Sequence, residues 1–174
     1  MVGTLPRMKA HELIASLSPA LQQEILGYLQ TETKEAFRTA LYQVGATRKL
    51  RPQYFDNKSK TERIAWLLNN LKGKTFDAVT EQLLQLWLLK GKTTMLTAFL
   101  DAAGIKHNGD GQVDDLPEEL EAAQVDSGID AMLKDHPGEQ VGLYLHLFQQ
   151  QRPGGWSTIA DALEKRSDLK LGGN

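Results

Sequence analysis

Between Gly45 and Thr75 eight cations, Arg48, Lys49, Arg51, Lys58, Lys60, Arg63, Lys72 and Lys74, are opposed only by Asp56 and Glu62. Tyr54 and Phe55 stand between the clusters. Lysine and arginine neutralise phosphates without regard to sequence, and an aromatic face accepts a stacked, unpaired base. That combination suits single-stranded DNA or RNA better than the groove of a duplex. The candidate nucleic-acid-binding residues are therefore Arg48, Lys49, Arg51, Tyr54, Phe55, Lys58, Lys60 and Arg63. The same pattern has a plainer explanation, in which the two aromatics pin a loop to the core and the cations solvate it or meet an acidic surface.

Other constellations fail on spacing. Gly91-Lys92-Thr93 and Gly73-Lys74-Thr75 look like the ends of phosphate-binding loops, but the leading glycine such loops need is replaced by Leu86 and Leu68. Both read as helix stops. Lys106 to Pro117 places Asn108, Asp110 and Gly111 as in part of a calcium loop, yet Lys106 takes the first ligand position and Pro117 the closing one, with Glu118 a residue late. His11, His107, His136 and His146 show no helical pair spacing for zinc, and no nucleophile elbow is present. Glu118, Glu119 and Glu121 read as a solvated helical start before a carboxylate pair. Trp156 to Leu163 has the look of the first helix of a helix-turn-helix, but too little chain follows for a recognition helix. Without cysteine there is no thiolate nucleophile, iron-sulfur cluster or thiolate zinc site. No metal, cofactor or catalytic residue is expected.

These residues must be positioned by a chain of 174 residues, 41% of them apolar, long enough to bury a core without disulfides or metal. Residues 1–100 carry 14 Lys plus Arg and 8 Asp plus Glu, whereas residues 101–174 carry 6 and 14. The net charge of −2 hides this polarity, which serves either a polyanionic partner or attraction between the halves. Apolar runs such as Leu86 to Leu89 fall far short of the roughly 20 residues that cross a bilayer. The expectation is a soluble, cytoplasmic protein with no membrane partner.

Apolar spacing is helical nearly throughout, which predicts an all-α fold. Met8 to Leu17 is a short amphipathic start, and Ser18-Pro19 caps a helix to about Leu29 with Leu21, Ile25, Tyr28 and Leu29 inward. The next helix starts at about Lys34, carries Phe37, Ala40, Leu41 and Val44, and has Gly45 as its left-handed C-terminal residue. After a polar link containing Pro52, Ser59 and Glu62 form a capping box for a helix with Ile64, Leu67, Leu68 and Leu71 inward and Trp66 on the flank, stopping at Gly73. Phe76 to Gly91 and Met95 to Gly104 follow and are expected to pair as a hairpin. Asn108 to Gly111 is turn chemistry for at most one tiny β-hairpin near residues 105–114. Pro117 to Ala123 reads as a helical turn and Ser127 to Lys134 as a short helix. Pro137-Gly138 opens a helix with Val141, Tyr144, Leu145 and Phe148, and Trp156, Ile159, Ala160 and Leu163 define the last. The segments around Leu86-Trp87 and Leu147-Phe148 share a pattern consistent with a duplicated hairpin.

The expected architecture is a compact bundle or short stack of about seven to nine helices arranged as helical hairpins. It forms one domain over residues 1–174, with two subdomains at most: a basic part, 8–74, and a helical-hairpin part, 75–167, whose C-terminal half is acidic. Residues 168–174 are a flexible tail. The leading function expected is non-catalytic, a surface for an unknown protein partner or a homo-oligomer. The alternative is binding of RNA or single-stranded DNA through residues 47–74. An exposed apolar patch favours the first, a basic aromatic groove the second, and a deep pocket with converging polar groups an enzyme.

Overall fold

The computed structural model describes residues 7–172. Among them are nine α-helices and three short 3-10 turns, and no strand. The chain groups into two units, Lys9–Trp87, and residues from Leu88 onward together with Arg7 and Met8. No helix among the described residues is long and apolar enough to cross a membrane.

The first unit holds α1 (Ala10–Ser16), α2 (Pro19–Glu32), α3 (Lys34–Thr47), α4 (Lys60–Leu71) and most of α5 (Asp77–Gly91). Ser18 opens α2 as its spacing predicts, its hydroxyl accepting from the Leu21 N–H at 3.3 Å with Pro19 in the first turn. The stripes of α2, α3 and α4 meet: Ile25, Leu26, Leu29, Val44, Leu67 and Leu71 are sealed from solvent, and each of the three helices packs on the other two. Thr33 alone separates α2 from α3, and its hydroxyl donates to the Leu29 carbonyl at 3.0 Å, closing α2. Thr80 on α5 donates its hydroxyl to the carbonyls of Leu71 and Phe76, stitching the end of α4 to the turn before α5.

Gly45 departs from expectation. It lies within α3, and the left-handed residue past the helix end is Lys49, at φ 63°. Leu50 N–H bonds the Gly45 carbonyl and Lys49 N–H the Ala46 carbonyl, the paired reach-back that satisfies a helix C-terminus. Glycine is needed at 45 for space instead, because a Cβ there would stand 2.8 Å from the Phe55 ring.

The second unit is built around α8 (Gly138–Gln149), which is buried on nearly every side. α7 (Ala122–Leu133), α9 (Ser157–Lys165) and the 3-10 turn Ser167–Leu169 pack on it. α6 (Thr93–Ala102) lies chiefly against α7, where the expected partner was α5. Gly128 permits this, since a Cβ would come 2.5 Å from the Phe99 ring. α6 ends as its sequence predicts, with Gly104 at φ 73°. The loop after it forms a turn and no strand: Gly109 and Gly111 both take positive φ, and Asp110 Oδ1 accepts the Gln112 N–H at 2.9 Å.

Pro117 to Glu121 is not helical, and α7 runs longer than expected, starting at Ala122 behind a Glu121–Gln124 capping box. Pro117 is held out of helix by what its carbonyl accepts, the Trp156 indole N–H and the Arg152 guanidinium, both at 2.9 Å. Trp156 stacks on Phe148 at 4.8 Å, and the Gln149 side chain clasps the Trp156 backbone across the Pro153-Gly154-Gly155 turn. The expected tail from residue 168 includes Leu169, which is buried on α8, while residues 173–174 lie outside the described residues.

Candidate nucleic-acid interface

The basic segment begins where α3 stops. The reach-back turn at Lys49 swings the chain away from the helix, and Pro52, with its fixed φ, starts the 3-10 turn Pro52–Phe55. That turn drives Phe55 inward and leaves Tyr54 outward. Phe55 is 2% exposed, with Tyr42, Tyr54 and Trp66 rings around it at 6.3, 5.1 and 4.8 Å. Its carbonyl accepts the Arg63 Nε–H at 2.9 Å. Phe55 is thus the anchor of the loop, buried too deeply to stack on a base.

Tyr54 is 42% exposed and is the one large hydrophobic residue exposed among those described. The Lys58 ammonium lies over the ring, 4.9 Å from its centroid, and the ring meets Phe55 in a T-shaped contact, so both neighbours hold it in place. Arg48 is exposed but oriented, its Nε–H donating to Asn70 Oδ1 at 2.9 Å and its guanidinium lying 5.0 Å over the Phe76 ring. Lys49, Arg51 and Lys60 are exposed. Of the two nearby carboxylates, Glu62 is spent on the cap of α4, where hydrogen bonding with Ser59 holds its pKa below the ordinary range.

A feature the sequence reading missed adjoins this set. A groove of roughly 230 Å³ runs along α3, with Lys34 and Arg38 on one wall, Lys60 and Arg63 from α4 on the other, and Phe37, Tyr42 and Phe55 in its floor. No carboxylate lines it. Lys34 and Arg38 stand one turn apart, flanking the Phe37 and Leu41 stripe. That spacing was visible in the sequence, but the partner wall comes from beyond the loop and only folding brings it near.

The remaining candidates are absorbed by structure. His11 donates its backbone N–H and its Nδ1–H to Asp77 at 2.9 and 2.6 Å. His107 accepts the Gly109 N–H at Nδ1, so its Nε2–H donates to Asp101 at 2.6 Å, tying the turn to α6. Burial pushes the His146 pKa down to about 4, leaving a neutral ring at ordinary pH. Burial, aided by the charge of Lys92, lowers that of His136. Among the described residues no three His, Asp or Glu side chains converge as a cation shell. Thr93 donates its hydroxyl to the Leu89 carbonyl, and Gly91-Lys92-Thr93 is the joint between α5 and α6. A second depression, near Glu118, Glu121 and Trp156, contains Arg152, which stacks on Trp156 at 5.0 Å and donates to the carbonyls of Pro117 and Glu118. That guanidinium holds the loop together.

No protein-family model, curated protein or solved structure matches the chain.

Proposed function

We propose that the Lys9–Trp87 unit binds single-stranded nucleic acid across the face presented by Arg48, Lys49, Arg51, Tyr54, Lys58 and Lys60. The observation that carries this reading is Tyr54, an exposed ring held by a T-shaped contact with Phe55 and carrying the Lys58 ammonium over it. An exposed phenol offers a stacking surface to any base, and the cations match phosphates along the strand. Phe55 supports the platform as a buried anchor. The other reading, docking of a protein partner or a second copy, calls for an exposed apolar patch, whereas the one large hydrophobic exposed among the described residues, Tyr54, lies among cations, which favours the strand.

The test is fluorescence anisotropy of labelled single-stranded RNA, single-stranded DNA and duplex DNA at several salt concentrations. The expected result is salt-sensitive binding, strongest for single strands, that the triple reversal Arg48→Glu, Lys49→Glu, Arg51→Glu abolishes. Tyr54→Ala should weaken binding by about 1–3 kcal/mol with little change in salt slope, because stacking carries no charge. Absence of binding to any strand at low salt would sink the proposal.

A further inference from the structure

We infer that the groove along α3 is a pocket for the terminal phosphate of the bound strand, a phosphomonoester at one of its ends. This assignment rests on the strand-binding reading above and adds a site to it. Lys34 and Arg38 on α3 face Lys60 and Arg63 on α4 across a space of roughly 230 Å³ that no carboxylate enters. A phosphodiester brings one negative charge, whereas a terminal monoester brings close to two at neutral pH and three acceptor oxygens. Four cations around one small space match the second better than the first. The space also takes a phosphate with part of its sugar, not a run of nucleotides.

The α4 wall is held before any ligand arrives. Gln30 on α2 donates its side-chain N–H to the Lys60 carbonyl at 3.1 Å, fastening the start of α4 beside α2. Arg63 uses its Nε–H on the Phe55 carbonyl, which restrains the guanidinium in the groove lining. Lys34 and Lys60 are the first residues of α3 and α4, and because Ser59 and Glu62 already cap α4, the positive charge of the groove comes from the four side chains. The Thr33 hydroxyl is committed to the end of α2, so the first turn of α3 has no side-chain cap. Lys60 belongs both to this groove and to the face around Tyr54, and Phe55, which lines the groove, is in ring contact with Tyr54, so the two sites adjoin.

The experiment uses the full chain and oligouridylates of about 12 nucleotides, within the range of single-strand site sizes. Four probes are compared: 5′-phosphate and 5′-hydroxyl strands labelled at the 3′ end, and 3′-phosphate and 3′-hydroxyl strands labelled at the 5′ end. The wild type is expected to bind one phosphorylated end about tenfold more tightly than its hydroxyl counterpart, the scale of one added charge-assisted contact. Which end gains identifies the source of the monoester. Lys34→Glu with Arg38→Glu, and separately Lys34→Gln with Arg38→Gln, should erase that preference while leaving hydroxyl-ended strands bound, with circular dichroism melts confirming the fold. Equal affinity for phosphorylated and hydroxyl ends, with salt-sensitive binding intact, overturns the pocket and leaves the strand-binding reading standing. Variants that weaken all four probes alike also overturn it, since the groove then serves internal phosphates. If no probe binds at low salt, both readings fall together.

Discussion

Lys49 holds a backbone conformation that side chains with a Cβ avoid, at a cost of roughly 1–2 kcal/mol. Lys49→Gly should therefore stabilise the protein by about 1 kcal/mol, the relief of that strain less the greater chain entropy of glycine. A thermal melt checks this, and an unchanged or lower Tm would show that the strain is not there to relieve. The same variant removes one cation from the proposed interface, so its stability rises while its strand affinity falls. The sequence alone points to Gly45 for the left-handed position, since glycine is its usual occupant, but glycine is also chosen for space, here against the Phe55 ring. Where the physics is local, the residues were legible: Ser18, and the Ser59–Glu62 pair, cap the helices their spacing announces.

At the level of elements, α1 is tied to the start of α5 by His11 and Asp77. Burial raises the Asp77 pKa, but the backbone and side-chain hydrogen bonds from His11 outweigh it and the net shift is downward. A carboxyl depressed in the folded state contributes stability that is present above its unfolded pKa of about 3.9 and is lost as pH falls through the lower folded value. Asp77→Asn is expected to destabilise by about 1 kcal/mol at neutral pH, a figure kept small by solvent screening, and to match wild type in strong acid. Urea titrations at pH 7 and below pH 3 separate the two cases; a constant difference would remove the carboxylate from the account. On α8 the packing surface is bare backbone. A Cβ at Gly138 or Gly142 would overlap the carbonyl oxygens of Asp168 and Leu169. Gly142→Ala should cost about 1–3 kcal/mol, against the usual helix preference for alanine, and lower Tm by several degrees. An increase in Tm would mean that the Ser167–Leu169 turn shifts freely. The Val141, Tyr144, Leu145 and Phe148 stripe of α8 was readable from periodicity, but the glycine face was not, because periodicity counts a glycine as a gap. Gly128 in α7 hid the true start of that helix in the same way.

Across the whole molecule, the split of charge between the two ends of the sequence was plain, and so was the all-helical content. The groove was not. Its two walls come from either side of a loop, and nothing in the linear order of Lys34, Arg38, Lys60 and Arg63 says that α3 and α4 will face each other. Which helices pair is decided by side-chain volumes that meet at a distance in sequence, as when Gly128 admits Phe99 and turns α6 toward α7. The acidic stretch from Asp101 onward meets its charge partly at Arg166, which bridges Asp130 and Asp168 at 3.1 Å within its own unit.

The one-residue joint at Thr33 has a kinetic meaning. Bringing α2 against α3 closes almost no loop, so the entropy that usually slows the meeting of two helices is nearly absent there. The docking of α4 must instead organise the whole Arg48–Ser59 segment, and Phe55 is the residue that rewards it. We expect the Phe55 ring to act as a latch that closes after the helical scaffold stands, so that Phe55→Leu speeds unfolding with little change in folding rate in denaturant-jump kinetics.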